Sequence, residues 1–179
     1  MQDDGSLLSI SGGTIVVNSG GDGLDSNGST EISGGIAVVS GPTANNNGAL
    51  DSNGGINVSG GTVVAAGSAG MAESPEADSA QGWVAVRLTQ QVAAGQVISI
   101  VSGDQVIASF RTDKATASIV VSAAGIAKGQ SYDVYVGGSL AGEQVGNYSP
   151  GGSISGATKV ATATAGQAIF GGMGGGMRP

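Results

Sequence analysis

Several kinds of residue are missing or scarce in this chain of 179 residues, and each absence excludes a class of protein. There is no cysteine and no histidine, which excludes disulfides, thiol chemistry, Cys/His zinc sites and histidine-based catalytic triads. Aromatic residues make up 3% of the sequence against 40% for all hydrophobic residues, so any core must consist of Val, Ile, Ala and Leu. Charged residues are few, at 11%, and regular aliphatic runs argue against disorder.

The first half of the chain also lacks lysine and arginine. Residues 1–86 hold nine acids and no base, whereas residues 87–179 hold four acids and six bases, giving charges of −9 and +2 that account for the net −7. A region without a base cannot neutralise phosphates, so nucleic acid is not an expected partner. The natural counterion for clustered carboxylates is a metal cation.

The N-terminus does not show a basic segment followed by an apolar one. No apolar run in the sequence approaches the length that a membrane span requires. We therefore expect no membrane insertion. The sequence is interpreted as mature, leaderless or a fragment.

Glycine is abundant, with 35 copies, about three times its usual share, and it recurs at regular intervals. Three segments align: ISGGTIVV at 10–17, ISGGIAVV at 32–39 and VSGGTVVA at 58–65, so their glycine corners recur at intervals of 22 and 26 along the chain. A second motif repeats in phase with them, as GLDSNG at 23–28 and ALDSNG at 49–54. This much glycine excludes a helical bundle, and the regular interval indicates a repeat of coils.

A repeat of this length, with short β-branched runs and glycine corners, is typical of a parallel β-helix. We therefore predict an all-β fold with about three β-helix coils. A leucine-rich repeat is excluded because no segment of residues 1–82 has helical spacing of apolar residues. Stacked about 4.8 Å apart, the coils form aliphatic ladders around a thin interior: Ile10, Ile32 and Val58; Val16, Val38 and Val64; Leu24 and Leu50.

From Trp83 onward the apolar runs are longer. They predict strands at about 83–90, 95–101, 105–111, 117–122 and 131–137. We interpret residues 83–140 as a compact, antiparallel β-region that caps the C-terminal end of coils 1–82, because an open last coil would expose unpaired backbone groups. Residues 141–179 form a tail rich in Gly, Ser and Ala with one or two strands.

The repeated aspartates are candidate metal ligands. Asp25 and Asp51 occupy equivalent corners of neighbouring coils, which places their carboxylates about 5 Å apart. Their repulsion, about 3 kcal/mol at an effective dielectric near 20, would be relieved by calcium, which takes six to eight oxygen ligands. Besides backbone carbonyls, the candidate ligands are Asp22, Asp25, Asp51, Asn27, Asn47 and Asn53, with Glu73 weaker. Alternatively, these residues form exposed turns and an asparagine ladder.

Two further groups are candidates for contact with a ligand. Asn45, Asn46 and Asn47 lie where the second coil is four residues longer than the first, and they form either a ligand-binding loop or a solvated turn. Four aromatic residues can stack on sugar rings, although core positions are the more common role for such residues in this composition: Trp83, Tyr132, Tyr135 and Tyr148.

The sequence GDGLDSNG at residues 21–28, followed by ISGG at 32–35, GP at 41–42 and ALD at 49–51, resembles the bacterial carbohydrate-binding-domain-containing β-helix family. SIVVS at 118–122 and KGQSYDVYVGGS at 128–139 resemble its C-terminal part, so the likeness covers most of residues 7–160. The resemblance implies a secreted or cell-surface right-handed β-helix of pectate-lyase-like shape that binds calcium and polysaccharides, including cellulose and acidic sugars. The chain departs from the family in beginning within the solenoid and in lacking the LDSNG motif in its third coil.

Three classes of function remain. A polysaccharide lyase needs a basic residue near the acidic cluster, and none precedes Arg87. We therefore expect a non-catalytic, extracellular, calcium-binding protein whose partner is a polysaccharide such as cellulose or polygalacturonate. The structural alternative is a subunit of an extracellular filament, in which coil ends and the glycine-rich tail associate head to tail.

Overall fold

The computed structural model describes residues 3–167, and this range contains fifteen strands and no helix. The described part therefore has no helix long and apolar enough to cross a membrane. The end of the predicted tail, residues 168–179, lies outside the described residues. The strands are β1 (Leu7–Asn18), β2 (Leu24–Ser26), β3 (Ser29–Ser40), β4 (Leu50–Ser52), β5 (Ile56–Val58), β6 (Thr62–Gly67), β7 (Trp83–Val92), β8 (Val97–Ser102), β9 (Gln105–Arg111), β10 (Thr116–Ser122), β11 (Ser131–Val136), β12 (Ser139–Ala141), β13 (Tyr148–Ser149), β14 (Gly151–Ser153) and β15 (Thr158–Thr164).

The largest sheet is mixed and has the strand order β1-β3-β6-β10-β7, with β5 also beside β3. Strands β1, β3, β5 and β6 pair in parallel, as do β2 and β4 in a small separate sheet. From β7 onward every pair between named strands is antiparallel, including the pairs of β10 with β6 and with β7. The all-β prediction is therefore confirmed, but the sheets are mixed and most pairs in the described part of the molecule are antiparallel.

The parallel pairs have the registers that the repeats predict. Ile10 pairs with Ile32, Ile32 pairs with Val58, and Leu24 pairs with Leu50. All five side chains are buried and belong to one aliphatic core, enclosed by one face of the main sheet and the β2–β4 pair. Two of the three predicted ladders thus line this aliphatic core, which we call the coil core after the predicted coils.

The third predicted ladder lies elsewhere, and its assignment to the coil interior was wrong. Val38 and Val64 face a second core on the opposite side of the main sheet. That side is covered by a five-stranded antiparallel sheet of order β13-β9-β8-β11-β15, which contributes Phe110 and Ile98 among others. Val16 has the same register but is 56% exposed, because β1 forms the edge of the main sheet and lies outside this second core.

Strand β10 covers the edge of the last coil. It pairs with β6 from Ser118↔Gly67 to Ser122↔Val63, so β6 has hydrogen-bonding neighbours on both sides. Strands β7 to β11 lie within two residues of the predicted strands. Three strands, β13, β14 and β15, fall in the segment 141–179, for which one or two were predicted.

Candidate functional site

Asp25 and Asp51 are direct neighbours across the β2–β4 pair. Side chains alternate along a strand, so the flanking leucines and serines of both strands are buried while Asp25 is exposed and Asp51 is half-buried. Since paired strands lie about 4.8 Å apart, two carboxylates stand side by side on the outer face of the coils. The structure brings together the two residues that the repeat singled out.

The serine of each LDSNG motif explains why the chain turns directly after the aspartate. Ser52 Oγ shares its single hydroxyl proton between the carbonyl oxygens of Gly28 at 2.8 Å and Gly55 at 3.0 Å. Ser26 Oγ donates to the carbonyl oxygen of Ser29 at 3.1 Å. These bonds tie each corner to itself and, for Ser52, to the preceding coil, and thereby fix the backbone that carries the aspartates.

Glu73 extends the acidic row into the third coil. Its Oε2 accepts a hydrogen bond from the backbone N–H of Ser52 at 2.9 Å. Burial raises the pKa of Glu73 to about 7; the bond from Ser52 opposes this shift, while the charges of Asp51, Glu76 and Asp22 add to it. Glu73 was only a weak candidate in the sequence, although Asp51 precedes it by the same interval that separates the first two glycine corners.

The pKa of Asp51 is raised as well. Burial is the main cause, and the charges of Asp22 and Asp25 add to it. The acids of neighbouring coils therefore repel one another without a basic side chain in residues 1–86 to relieve the repulsion.

Asp22 joins the first coil to the second. Its Oδ1 accepts a hydrogen bond from the backbone N–H of Gly48 at 2.7 Å. When the side-chain amide of Asn47 is oriented with its nitrogen toward Asp22, this nitrogen donates hydrogen bonds to Oδ2 of Asp22 at 3.2 Å and to the carbonyl oxygen of Asn46 at 2.8 Å. The predicted ligands Asp22 and Asn47 thus meet, but each already has a partner in the loop.

The remaining candidate asparagines lie apart from one another. Asn53 borders an open cleft of about 340 Å³ that Glu73 and Glu76 also line. Asn27, Asn45 and Asn46 are exposed, and among the described residues none of their side chains donates a hydrogen bond to an acidic residue. Asn45 and Asn46 therefore show the exposure that either a ligand-binding loop or a solvated turn requires, whereas Asn47 is half-buried.

Residues 3–167 contain no group of three or more acidic side chains arranged to hold a metal ion. Asp22, Asp25 and Asp51 therefore do not form a group of three carboxylates in this part of the chain. What Asp25 and Asp51 offer is an open pair of carboxylates. Such a pair fits calcium only if backbone carbonyls, water or a bound molecule supply most of the six to eight oxygens.

Three of the four candidate aromatic residues are core residues. Trp83, Tyr132 and Tyr148 are buried, and the indole Nε1 of Trp83 donates a hydrogen bond to the carbonyl oxygen of Glu76 at 3.1 Å. Tyr135 is partly exposed. A platform of several aromatic rings for stacking on sugars is therefore not formed by these four residues.

No family model, curated protein or solved structure matches the chain. The resemblance to carbohydrate-binding β-helix proteins stays a prediction that depends on the motifs alone.

Proposed function

We propose that the protein is a non-catalytic, extracellular polysaccharide-binding protein that binds its ligand through calcium. In this proposal residues 7–67 are a short right-handed parallel β-helix, and Asp25 and Asp51 bind the ion on its outer face. The observation that carries the proposal is the in-register pairing of these two outward-facing carboxylates. The ligand class is an acidic polysaccharide such as polygalacturonate, with cellulose as the neutral alternative.

The open form of the carboxylate pair favours an acidic ligand. A surface that carries −9 over residues 1–86 repels a polyuronate. A calcium ion held by Asp25 and Asp51 turns this repulsion into attraction. It neutralises the two carboxylates and leaves coordination positions for carboxylates of the sugar. The polysaccharide then completes the site instead of entering a preformed pocket.

A binding role is favoured over a lyase by the position of the nearest base in the sequence. Residues 1–86 hold no lysine or arginine, and Arg87 directs its Nη2 to the backbone carbonyl oxygen of Ala69 at 2.5 Å. A lyase needs a base within reach of the sugar proton that it removes. Arg87 is thus occupied with the backbone rather than with the acidic row.

The test combines thermal unfolding with pull-down on polygalacturonate and on cellulose. At free calcium one hundred times above its dissociation constant, one site adds about 2.7 kcal/mol to the free energy of unfolding. Binding to polygalacturonate is expected to require calcium and to be lost in Asp25→Asn and Asp51→Asn. The matched control is Glu31→Gln, which removes one exposed acid from β3 and is expected to bind normally. A melting temperature unchanged by chelator, or binding that persists in chelator, would refute the proposal.

A further inference from the structure

A cavity of about 420 Å³ lies at the edge of the second core and shares no lining residue with the acidic row. It opens between the two sheets that enclose this core: Thr62 belongs to β6 of the main sheet, whereas Val106 and Ile107 belong to β9 of the five-stranded sheet. Ala123 and Tyr148, which also line it, are buried residues of the second core. The volume falls within the range of about 300–1,000 Å³ that is usual for small-molecule sites, so the cavity is large enough to hold a small molecule.

A β-bulge in β9 shapes the wall of this cavity. Val101 of β8 pairs with Val106 of β9. The next pair joins Ile100 to Ala108, which leaves Ile107 without a partner in β8. Side chains alternate along a regular strand, so Val106 and Ile107 would otherwise point to opposite faces of the sheet. With the bulge both line the cavity. Bulges re-aim side chains in this way and are frequent beside functional sites.

Another part of the wall is held in place by a glycine turn after β10. Gly125, which lines the cavity, has a φ of 93°, in the left-handed region that favours glycine. The hydroxyl group of Tyr132 donates a hydrogen bond to the carbonyl oxygen of Gly125 at 3.0 Å and accepts one from the backbone N–H of Ala127 at 2.8 Å. Because Tyr132 is itself buried in the second core, it fixes the position of the turn. The cavity is therefore formed before a ligand binds.

The described residues that line the cavity present polar and apolar groups but no charged side chain. Thr62, Ser102 and Gln105 contribute hydroxyl and amide groups, which can both donate and accept hydrogen bonds. Gln105 is exposed and Ser102 is half-buried, so their polar groups are accessible to a ligand. Ile107 and Pro150 add apolar surface beside them.

This lining determines the class of ligand. The hydroxyl groups of a sugar donate and accept hydrogen bonds as the lining groups do, and the apolar face of a sugar ring fits against Ile107 and Pro150. A ligand with a carboxylate or phosphate would lose its water without gaining a cation, which is costly. A neutral, hydroxyl-rich ring therefore suits the cavity, whereas an acidic one does not.

We infer that the cavity between the start of β6 and the β8–β9 turn binds one ring of a neutral sugar and needs no calcium. The cavity does not depend on Asp25 or Asp51, whereas the choice of a sugar among hydroxyl-rich molecules rests on the proposed function. The protein then has two sites of different chemistry. One binds an acidic sugar through an ion, and the other binds a neutral sugar through hydroxyl and amide groups.

The test is a titration of the full chain with cellobiose and with glucuronate, in the presence of chelator, followed by saturation-transfer difference NMR. Cellobiose is expected to bind, and glucuronate is expected to bind at least about fivefold more weakly, because its carboxylate meets no cation in the cavity. Asp51→Asn should bind cellobiose as the unsubstituted protein does. Loss of cellobiose binding in chelator or in Asp51→Asn would place the sugar at the calcium site, which overturns this inference alone. Retained cellobiose binding without calcium-dependent binding to polygalacturonate would refute only the calcium-dependent part of the proposed function.

Ala124 and Ala127 provide a matched pair of variants. Both are exposed residues of the loop between β10 and β11, and of the two Ala124 lines the cavity. Ala124→Phe should lower the affinity for cellobiose at least about tenfold, because the added ring occupies the space of the ligand. Ala127→Phe should leave the affinity unchanged.

A second pair of variants tests the polar lining. Gln105→Ala should weaken cellobiose binding about fivefold, through the loss of one hydrogen bond, and Gln130→Ala, at an exposed glutamine outside the cavity, should bind normally. Far-ultraviolet circular dichroism checks that each variant is folded, and the glutamine pair decides the outcome if Ala124→Phe does not fold. An unsubstituted protein that does not bind cellobiose, equal binding of glucuronate, or equal affinities within either pair of variants would each overturn the inference.

Discussion

The parallel region, residues 7–67, and the antiparallel region, residues 83–164, use similar aliphatic residues but complete their cores in different ways. In the parallel region each sequence repeat adds one strand to the parallel part of the main sheet, and no repeat forms a core alone. The antiparallel region contains most of the second core, including the large side chain of Phe110. It also contributes Trp83, Ala85 and Val120 to the coil core. The coils therefore depend on the antiparallel region for closure, and the main sheet is the wall that both cores share.

The two regions also differ in how their charges are arranged. In the antiparallel region, Lys159 Nζ lies 2.8 Å from Oδ1 of Asp133, and hydrogen bonds from Lys159 and Thr162 lower the pKa of Asp133. In the parallel region the pKa of Asp51 is raised, and so is that of Glu73 in the segment that follows it. Asp133 thus has a cationic partner, whereas the described acids of the parallel region form no ion pair, which is the contrast expected if the coils bind a cation from solution.

The largest expected effect comes from breaking the connection between the regions. Trp83→Ala should lower the free energy of unfolding by about 4 kcal/mol, because a large side chain that is 1% exposed leaves a cavity in the coil core. Both regions should still unfold in a single transition, since the main sheet runs through both. Calorimetry and far-ultraviolet circular dichroism measure the two quantities. Trp83→Phe is the control and should lose less than half as much; two separate transitions in Trp83→Ala would show that the regions fold independently.

A smaller effect is expected from disturbing the stacking of the coils alone. Gly60→Ala should cost about 2–3 kcal/mol, because its Cβ would lie 2.5 Å from the backbone oxygen of Ser33, which cannot move without separating two coils. Gly20→Ala is the matched control, since nothing lies within 4 Å of its Cβ position, and it should change stability by less than about 0.5 kcal/mol. Denaturant unfolding of both variants provides the comparison. Equal stability of the two variants would mean that the coils are not packed as described.

The smallest effect concerns the acidic row. The folded protein holds a proton on Glu73 up to a pKa of about 7, above the ordinary value of 4.5, so the folded state binds more protons than the unfolded state between these values. Stability is therefore expected to fall as the pH rises from about 4.5 to 7. Glu73→Gln should remove this slope and stabilise the protein at pH 8 by about 1 kcal/mol, a value reduced for the solvent that reaches this half-buried group.

The measurement for Glu73 is the melting temperature across this pH range in the presence of chelator. Glu31→Gln makes the same charge change on β3 and serves as the control for net charge. If Glu73→Gln and the unsubstituted protein show the same pH profile, the repulsion within the acidic row is too weak to affect folding.

The repeats were enough to predict the local pairing of the coils. The aligned glycine corners set Ile10 over Ile32 and Leu24 over Leu50, because equivalent residues of stacked coils must be neighbours. The same reasoning could not distinguish Val16 from Val38, which occupy equivalent positions in nearly identical segments. Their burial differs because a second sheet covers β3 but not β1, and this contact depends on residues far away in the chain. Local periodicity specifies register, whereas the outer neighbour of a strand is decided by tertiary packing.

The acidic site was predictable to a similar extent. Asp25 and Asp51 were found because their motif repeats, while Glu73 was a weak candidate because the residues around it, Ser74 and Pro75 among them, no longer follow that motif. Its position in the row comes from a hydrogen bond to the backbone of Ser52. The hydrogen bonds of Asp22 to Gly48 and Asn47 could not be predicted, because a sequence does not show whether an aspartate side chain is hydrogen-bonded within its loop or is available to a ligand.

Trp83 also makes the molecule convenient to observe. It is the one tryptophan in the sequence, and its buried indole lies where the first strand of the antiparallel region enters the coil core. Indole fluorescence shifts to longer wavelength when the ring passes from an apolar surrounding to water. Emission from this single fluorophore therefore reports directly on whether the two regions remain docked, without a label and without a second indole to separate from it.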